Sequence, residues 1–536
     1  MALLAAPALS DDPPAIEVSE WSLTRLDLDI TVWPGPRKLE MKGKARVKLI
    51  GAEAYGPVFG INTRSPVMQI KSMRSGGTAA SIFPFKDTIE VALLPAPPGL
   101  KQGDEIDVEF EAESKAEGSQ FVTTPGAFYA SWVETWYPVP ARKIDALSSP
   151  AAPGTMTFHL PKGWRSVSNG AMVDRIVAED GAVTERWSVD TPAARSFAAA
   201  PYAVVEQARS GGREIGLFLL EPRPAIAAQA NALAQSITAM ERHFGPYPFS
   251  TYNVAEVPEG ATFAASSEQG FIMVRSSLLD AEKGNLPLFA HEAAHGWWGN
   301  LVRGDGDGGR LLTESLAQFG ALISIEEIEG KKAAAEFLRY SREGYSPMQS
   351  AMGFFYIWRQ GGDKPLSKLS DGKFDHNLSD AKGHWFYHML RHRLGDEAFF
   401  GMLRGLIETY RGRRATVDDL RQAIIAANPA DTDLPNFVSQ WIDRAGAPVL
   451  DVDWWSADRW GKTIELRIVQ RQQELFDVPL EVAIDTQSGE VVRTTIRVNE
   501  RNHAVKLPLP SRAVGVRLDP DDKLLFWRPE YGERPI

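Results

Sequence analysis

The chain has 536 residues, 44% apolar and 24% charged, the composition of a folded protein, and at about 150 residues per domain it implies two to four domains. A formal net charge of -11 excludes general nucleic-acid binding, which needs a basic face. The nine histidines and complete lack of cysteine exclude disulfides, thiolate nucleophiles and cysteine-ligated metal centres, so any metal site must be built from His, Asp and Glu.

Residues 1–14 (MALLAAPALSDDPP) read as a disordered terminus or the remnant of a signal peptide. Ala6-Pro7-Ala8 fits an A-x-A cleavage site, although a basic leader and a full apolar stretch are missing. Together with the absence of cysteine, this weighs toward a periplasmic or secreted protein. No run of 18 apolar residues suggests a transmembrane helix.

Residues 15–207 alternate in the β manner, as in RLDLDITVW, ARVKLIG, DEIDVEFEAE and TMTFHL, with turn clusters such as WPGPRK and RSGGT between them. They predict an N-terminal antiparallel β-domain. The period then changes. Within 208–450, helical spacing predicts helices over 224–244, 286–299, 313–329, 331–343, 381–394, 397–411, 416–427 and 434–444, with short strands at YNVAEV and GFIMV. Residues 451–536 return to strands and polar turns and predict a small C-terminal β-sandwich. The expected class is multidomain α+β.

The helix over 286–299 contains LFAHEAAHGWWGN. Residues i and i+4 share a helix face, so His291 and His295 can present both imidazoles to one ion. Glu292 is rotated off that line and can reach a metal-bound water instead of the metal. Catalytic zinc needs a third protein ligand and one open position. Glu314, 19 residues after His295, opens the next helix beyond the loop LVRGDGDGGR, with Thr313 as a candidate N-cap.

HEAAH with its GWWGN tail, together with the glutamate of TESLAQF separated from His295 by 18 residues, resembles the M1 family of zinc aminopeptidases. The segments VSNG, SFAAAPY, FGPYPFSTYNVAEVP and FVSQWIDRAGAP agree with it. The resemblance implies a thermolysin-like catalytic domain, one Zn²⁺ held by His291, His295 and Glu314, Glu292 as general base, and a peptide with a free N-terminus as substrate. It further implies that Glu268 binds the substrate's ammonium, with Gln269 and Gly270 beside it, and that the following strand GFIMV pairs with an extended peptide. Here the family's G-x-M-E-N is altered: Ser266 and Ser267 precede Glu268 and Gln269 follows it.

A second departure lies in LSDAKGHWFYHML. Lys382 and Gly383 match the family's Y-x-K-G, but Asp380 stands where the oxyanion-stabilising tyrosine is expected. An ionised aspartate cannot donate to an oxyanion. His376, on a predicted loop four residues upstream, is the candidate donor that could reach in, whereas Tyr387 lies two helical turns away. The alternatives to an aminopeptidase are an endopeptidase on the same metal, or a catalytically impaired M1-fold zinc protein serving as a peptide-binding or scaffold module. His384, His388 and His392 read as a mixed helix face and GDGDGG as a flexible loop.

Overall fold

A computed structural model of the chain describes residues 20–536 except 53–54, 64–67, 86–87, 115–125, 142–146, 211–212, 262, 343–344 and 371. The expectation for residues 1–14 therefore lies outside the described residues. The chain divides into two compact units, Met1–Pro201 and Tyr202–Ile536.

The first unit is built on an eight-stranded sheet. Along Trp21–Trp33, Leu26, Leu28, Ile30 and Val32 are buried and Asp27 and Asp29 point away, as an alternating strand with one solvated face requires. The pairings are antiparallel with one exception: Leu26–Thr31 runs parallel to Gly154–His159. Arg195 is fully buried near this junction. Its guanidinium donates to the carbonyls of Leu26, Ala152 and Ala193 at 2.6, 2.8 and 2.6 Å. Buried backbone acceptors are thereby satisfied by a side chain where the ladder does not reach them.

The second unit begins with the hairpin Val204–Ser210 and Arg213–Leu219. The anticipated boundary at 207/208 thus falls inside a strand whose hairpin partner holds it in this unit. The hairpin opens a five-stranded mixed sheet in the order Val204–Ser210, Arg213–Leu219, Asn253–Val257, Phe271–Arg275, Ala265–Glu268. Against it lie helices α1 (Ile226–Phe244) and α2 (Leu286–Ala294), with α3 (Glu314–Glu329) packed on both, followed by α4 (Lys331–Tyr340) and α5 (Ala351–Arg359). Helix α5 was not predicted from the sequence. Its start is marked by Ser350, whose hydroxyl accepts the Gly353 N–H, and its buried face carries Phe354, Phe355 and Ile357.

Next come α6 (Asp375–Leu378), a π-helical turn over Ser379–Gly383, and α7 (His384–Leu394). Two three-stranded antiparallel sheets complete the unit. Their inner residues, including Leu466, Ile468, Val482 and Ile484, join one continuous core with those of the helices.

Helix α2 is buried at all nine positions, the signature of a core helix rather than an amphipathic surface one. It ends earlier than the sequence predicts. Ala294 is its last residue and His295 its C-cap, because the chain turns sharply through Gly296–Asn300, where the Asn300 N–H bonds back to the His295 carbonyl at 3.0 Å. Gly320 lets α3 approach α2: a Cβ there would meet the Ala294 Cβ at 2.5 Å and the Met240 sulfur at 3.0 Å. This close approach brings the two helices' polar side chains together inside an apolar core.

Candidate metal centre

His291 and His295 converge as their i, i+4 spacing requires, with Nε2 atoms 3.2 Å apart. Glu314 Oε2, from the first turn of α3, lies 3.8 Å from one and 3.7 Å from the other. Ligands about 2.0–2.1 Å from a tetrahedral zinc stand about 3.3 Å apart, so the three donors need to close by only a few tenths of an ångström around an ion. Thr313 occupies the N-cap position of α3, but its side chain makes no capping bond. The expected cap is not formed at its φ of -116° and ψ of -84°, outside the extended geometry that capping uses.

The other side of each imidazole is also defined. His295 Nδ1 faces the Trp298 carbonyl at 2.9 Å and His291 Nδ1 faces Gln318 Oε1 at 2.9 Å. The Gln318 amide nitrogen donates to the Gln349 carbonyl at 3.3 Å, which turns its oxygen toward His291. Both acceptors are oxygens, so each ring donates from Nδ1 and turns Nε2 inward. The residues therefore fit a divalent cation held by two imidazoles and a carboxylate.

Gln318 is fully buried and also accepts the Tyr345 hydroxyl at 2.8 Å. Burial holds that phenol well above its ordinary pKa, so it remains an O–H donor beside His291, with ring centroids 6.5 Å apart. Sequence reasoning missed both residues. Gln318 had a readable signal, since it follows Glu314 by one helical turn and so shares its face. Tyr345 had none, because it comes from a loop that only the tertiary fold brings here.

Glu292 is buried, and burial pushes its carboxyl up to about 7. Burial opposes a charged His291, but Glu314, Asp380 and Glu292 outweigh it and raise that imidazole to about 9. Burial lowers His295 to about 4. Glu314 is held below the usual carboxylate range: burial acts against this, and His295, His291 and His376 overcome it. The converging carboxylates thus favour positive charge at this point.

Asp380 and His376 also reach Glu314. His376 lies on α6 and not on a loop, which places it one turn before Asp380 and on the same face. Its Nδ1 is 3.5 Å from Glu314 Oε2 and its Nε2 3.3 Å from Asp380 Oδ2. Asp380 is fully buried on the π-helical turn, and burial raises its pKa. Tyr387 points elsewhere, its hydroxyl donating to the Leu311 carbonyl at 2.8 Å. Lys382 is buried too, donating to the Arg444 carbonyl at 2.9 Å.

Glu268 ends the strand Ala265–Glu268 and is fully buried, its Oε1 accepting the Ser266 hydroxyl at 2.8 Å. Ser267 donates to the Glu292 carbonyl at 2.8 Å and so ties this strand to α2. Gln269 and Gly270 form the turn of a hairpin. The Gln269 amide donates to the Asn300 carbonyl at 2.9 Å, and Gly270 takes a φ of 95°, a conformation that glycine adopts without strain. One expectation is corrected here. The strand Phe271–Arg275 cannot receive a peptide, because Asn253–Val257 and Ala265–Glu268 already pair with its two sides. The chain doubles back before it rather than after it, so Ala265–Glu268 is the sheet edge.

A sheet laid against a buried H-E-x-x-H helix, with a glutamate delivered by the next helix, forms a site that can hold a divalent cation beside a buried carboxyl. Residues 228–441 match the model described as Peptidase family M1 domain. The chain is 24% identical over 243 residues to human Aminopeptidase RNPEPL1, covering 42% of this chain and 32% of the relative. It is 24% identical over 297 residues to Probable aminopeptidase 1 of Saccharolobus solfataricus, covering 52% and 36%. Aminopeptidase N of Lactococcus lactis is 29% identical over 176 residues, 31% and 19% of the two chains. The chain thus spans about a third or less of the length of these relatives. The fold is shared with Legionella pneumophila aminopeptidase A, solved in complex with aspartic acid, at a TM-score of 0.70 and 16% identity over 96% of this chain and 60% of that one.

Proposed function

We propose that this protein is a zinc-dependent aminopeptidase that removes N-terminal residues from peptides. The observation that carries the reading is the convergence of His291, His295 and Glu314 beside a buried Glu292 within a peptidase family M1 domain. Zinc bound there supplies a Lewis acid that acidifies a water and polarises the scissile carbonyl. His291 and His295 would hold it, and Glu314 would add the carboxylate that distinguishes this ligand set from an all-imidazole one. Glu292 accepts the proton of the attacking water and returns it to the leaving amine. A carboxyl raised to about 7 suits both tasks at neutral pH. The apolar body of α2 keeps bulk water from competing for these groups.

Glu268 is the proposed partner of the substrate's ammonium. Its support is its place at the end of the edge strand, one residue beyond the Ser267 that is bonded to the Glu292 carbonyl. Glu268→Ala should raise KM for aminoacyl substrates.

A panel of aminoacyl 7-amido-coumarins, assayed with and without a chelator, tests the reading. Turnover of free-amine substrates that the chelator abolishes and zinc restores is the expected result. Cleavage confined to N-blocked peptides would make the protein an endopeptidase. Stoichiometric zinc with no turnover of any substrate would replace the aminopeptidase by a peptide-binding module.

A further inference from the structure

Glu314 belongs to two groups of three side chains, one with His291 and His295 and the other with His376 and Asp380. Within each group the ligand atoms lie within 4.8 Å of one another. The proposed reaction uses only the first. In the second, His376 stands between two carboxylates, 3.5 Å from Glu314 and 3.3 Å from Asp380. Asp380 is 0% exposed. Gln349 Nε2 fixes its Oδ2 at 2.6 Å, while its Oδ1 has no hydrogen-bond partner. A buried carboxylate oxygen is seldom left without a donor or a cation. The π-helical turn that carries Asp380 is a rare element that concentrates at functional sites.

We propose that Glu314, His376 and Asp380 hold a second first-row divalent ion, Zn²⁺ or Mn²⁺, with Glu314 shared between the two positions. One imidazole and two carboxylates form a donor set of the right hardness for such an ion, and they leave coordination positions open for water or substrate. Paired ions in hydrolytic sites stand about 3.5–4 Å apart, a spacing that a shared carboxylate can span. Gln349, bonded to Asp380 on one side and receiving the Gln318 amide on its carbonyl, links the surroundings of the two positions. The rival arrangement is a protonated His376 bridging the two carboxylates without metal. The proposal rests on the zinc reading of the first position, since Glu314 serves both.

The test is metal stoichiometry. The full chain is stripped with a chelator, reloaded with Zn²⁺ alone or Mn²⁺ alone, dialysed, and measured by elemental mass spectrometry and titration calorimetry. The expected result is two ions per chain in the parent and one in both Asp380→Asn and His376→Ala. Half of the His376 side chain is solvent-exposed (52%), so His376→Ala removes a donor without opening the core. A parent that saturates at one ion overturns the second site and leaves the first intact. Two ions in both variants also overturn it. No bound ion in the parent would overturn both readings.

Discussion

Gln318→Leu removes the acceptor that orients His291 while keeping similar bulk. In the parent the amide oxygen receives His291 Nδ1 at 2.9 Å and the Tyr345 hydroxyl at 2.8 Å, inside a fully buried pocket. The leucine leaves both donors unpaired. At about 1–3 kcal/mol for each buried orphan, folding stability falls by about 2–6 kcal/mol. His291 also becomes free to rotate and to place its proton on Nε2. Loss of such an outer partner typically costs about 10- to 100-fold in metal affinity, or about 1.4–2.7 kcal/mol. Zinc competition against a chromophoric chelator reads the affinity, and thermal unfolding of stripped and loaded protein reads the stability. At fixed free zinc, the stabilisation given by the metal should shrink by the same 1.4–2.7 kcal/mol or so. Gln318→Glu retains an acceptor oxygen and should keep parental affinity. A zinc affinity for Gln318→Leu within about twofold of the parent would refute the reasoning, because His291 would then be oriented by something else.

Glu292→Gln keeps the shape of the buried side chain but cannot take a proton; kcat/KM should fall by about 100- to 10,000-fold with zinc content unchanged. Peptidase activity that survives this change would remove the metal-hydrolase reading. Gly320→Ala forces a methyl to 2.5 Å from the Ala294 Cβ, and should cost about 1–3 kcal/mol in chemical denaturation and weaken zinc binding as α3 shifts from α2. A fully stable variant with parental zinc affinity would show that the two helices have room to spare. His388 is buried and donates its Nε2–H to the Asp522 carbonyl at 2.8 Å; burial, aided by His392, lowers its pKa to about 3. Its folded value lies below the unfolded value of about 6.5, so its full contribution is present above pH 6.5 and is lost as pH falls toward 3, about 2 kcal/mol of it by pH 5. His388→Gln should flatten the fall in stability between pH 7.5 and 5 by about that amount, and an unchanged slope would assign the acid sensitivity to other groups.

The H-E-x-x-H spacing, the glutamate 19 residues beyond it and the change from period 2 to period 3.6 and back were all legible along the chain, because they express local backbone geometry. So were helices α1 and α3, whose apolar stripes need no distant partner to be recognised. The end of α2 was not legible. Nothing local stops a helix at Ala294, and the turn through Gly296–Asn300 is closed by the tertiary core. Tyr345 and Gln349 were equally out of reach, because their hydrogen bonds to Gln318 and Asp380 span 27 and 31 residues.

The sequence by itself determined that two imidazoles and one carboxylate would meet, since helical periodicity puts i and i+4 on one face and a short loop returns the next helix. Only the tertiary structure decided which nitrogen each imidazole turns inward, since that depends on oxygens at Trp298 and Gln318. It also decided the surroundings of Asp380. On the chain, Asp380 is a residue in the wrong place. In the fold it is a buried carboxylate whose Oδ2 meets Gln349 and His376 and whose Oδ1 has no hydrogen-bond partner. Burial gives that aspartate its chemistry, and burial is a property of the packed structure.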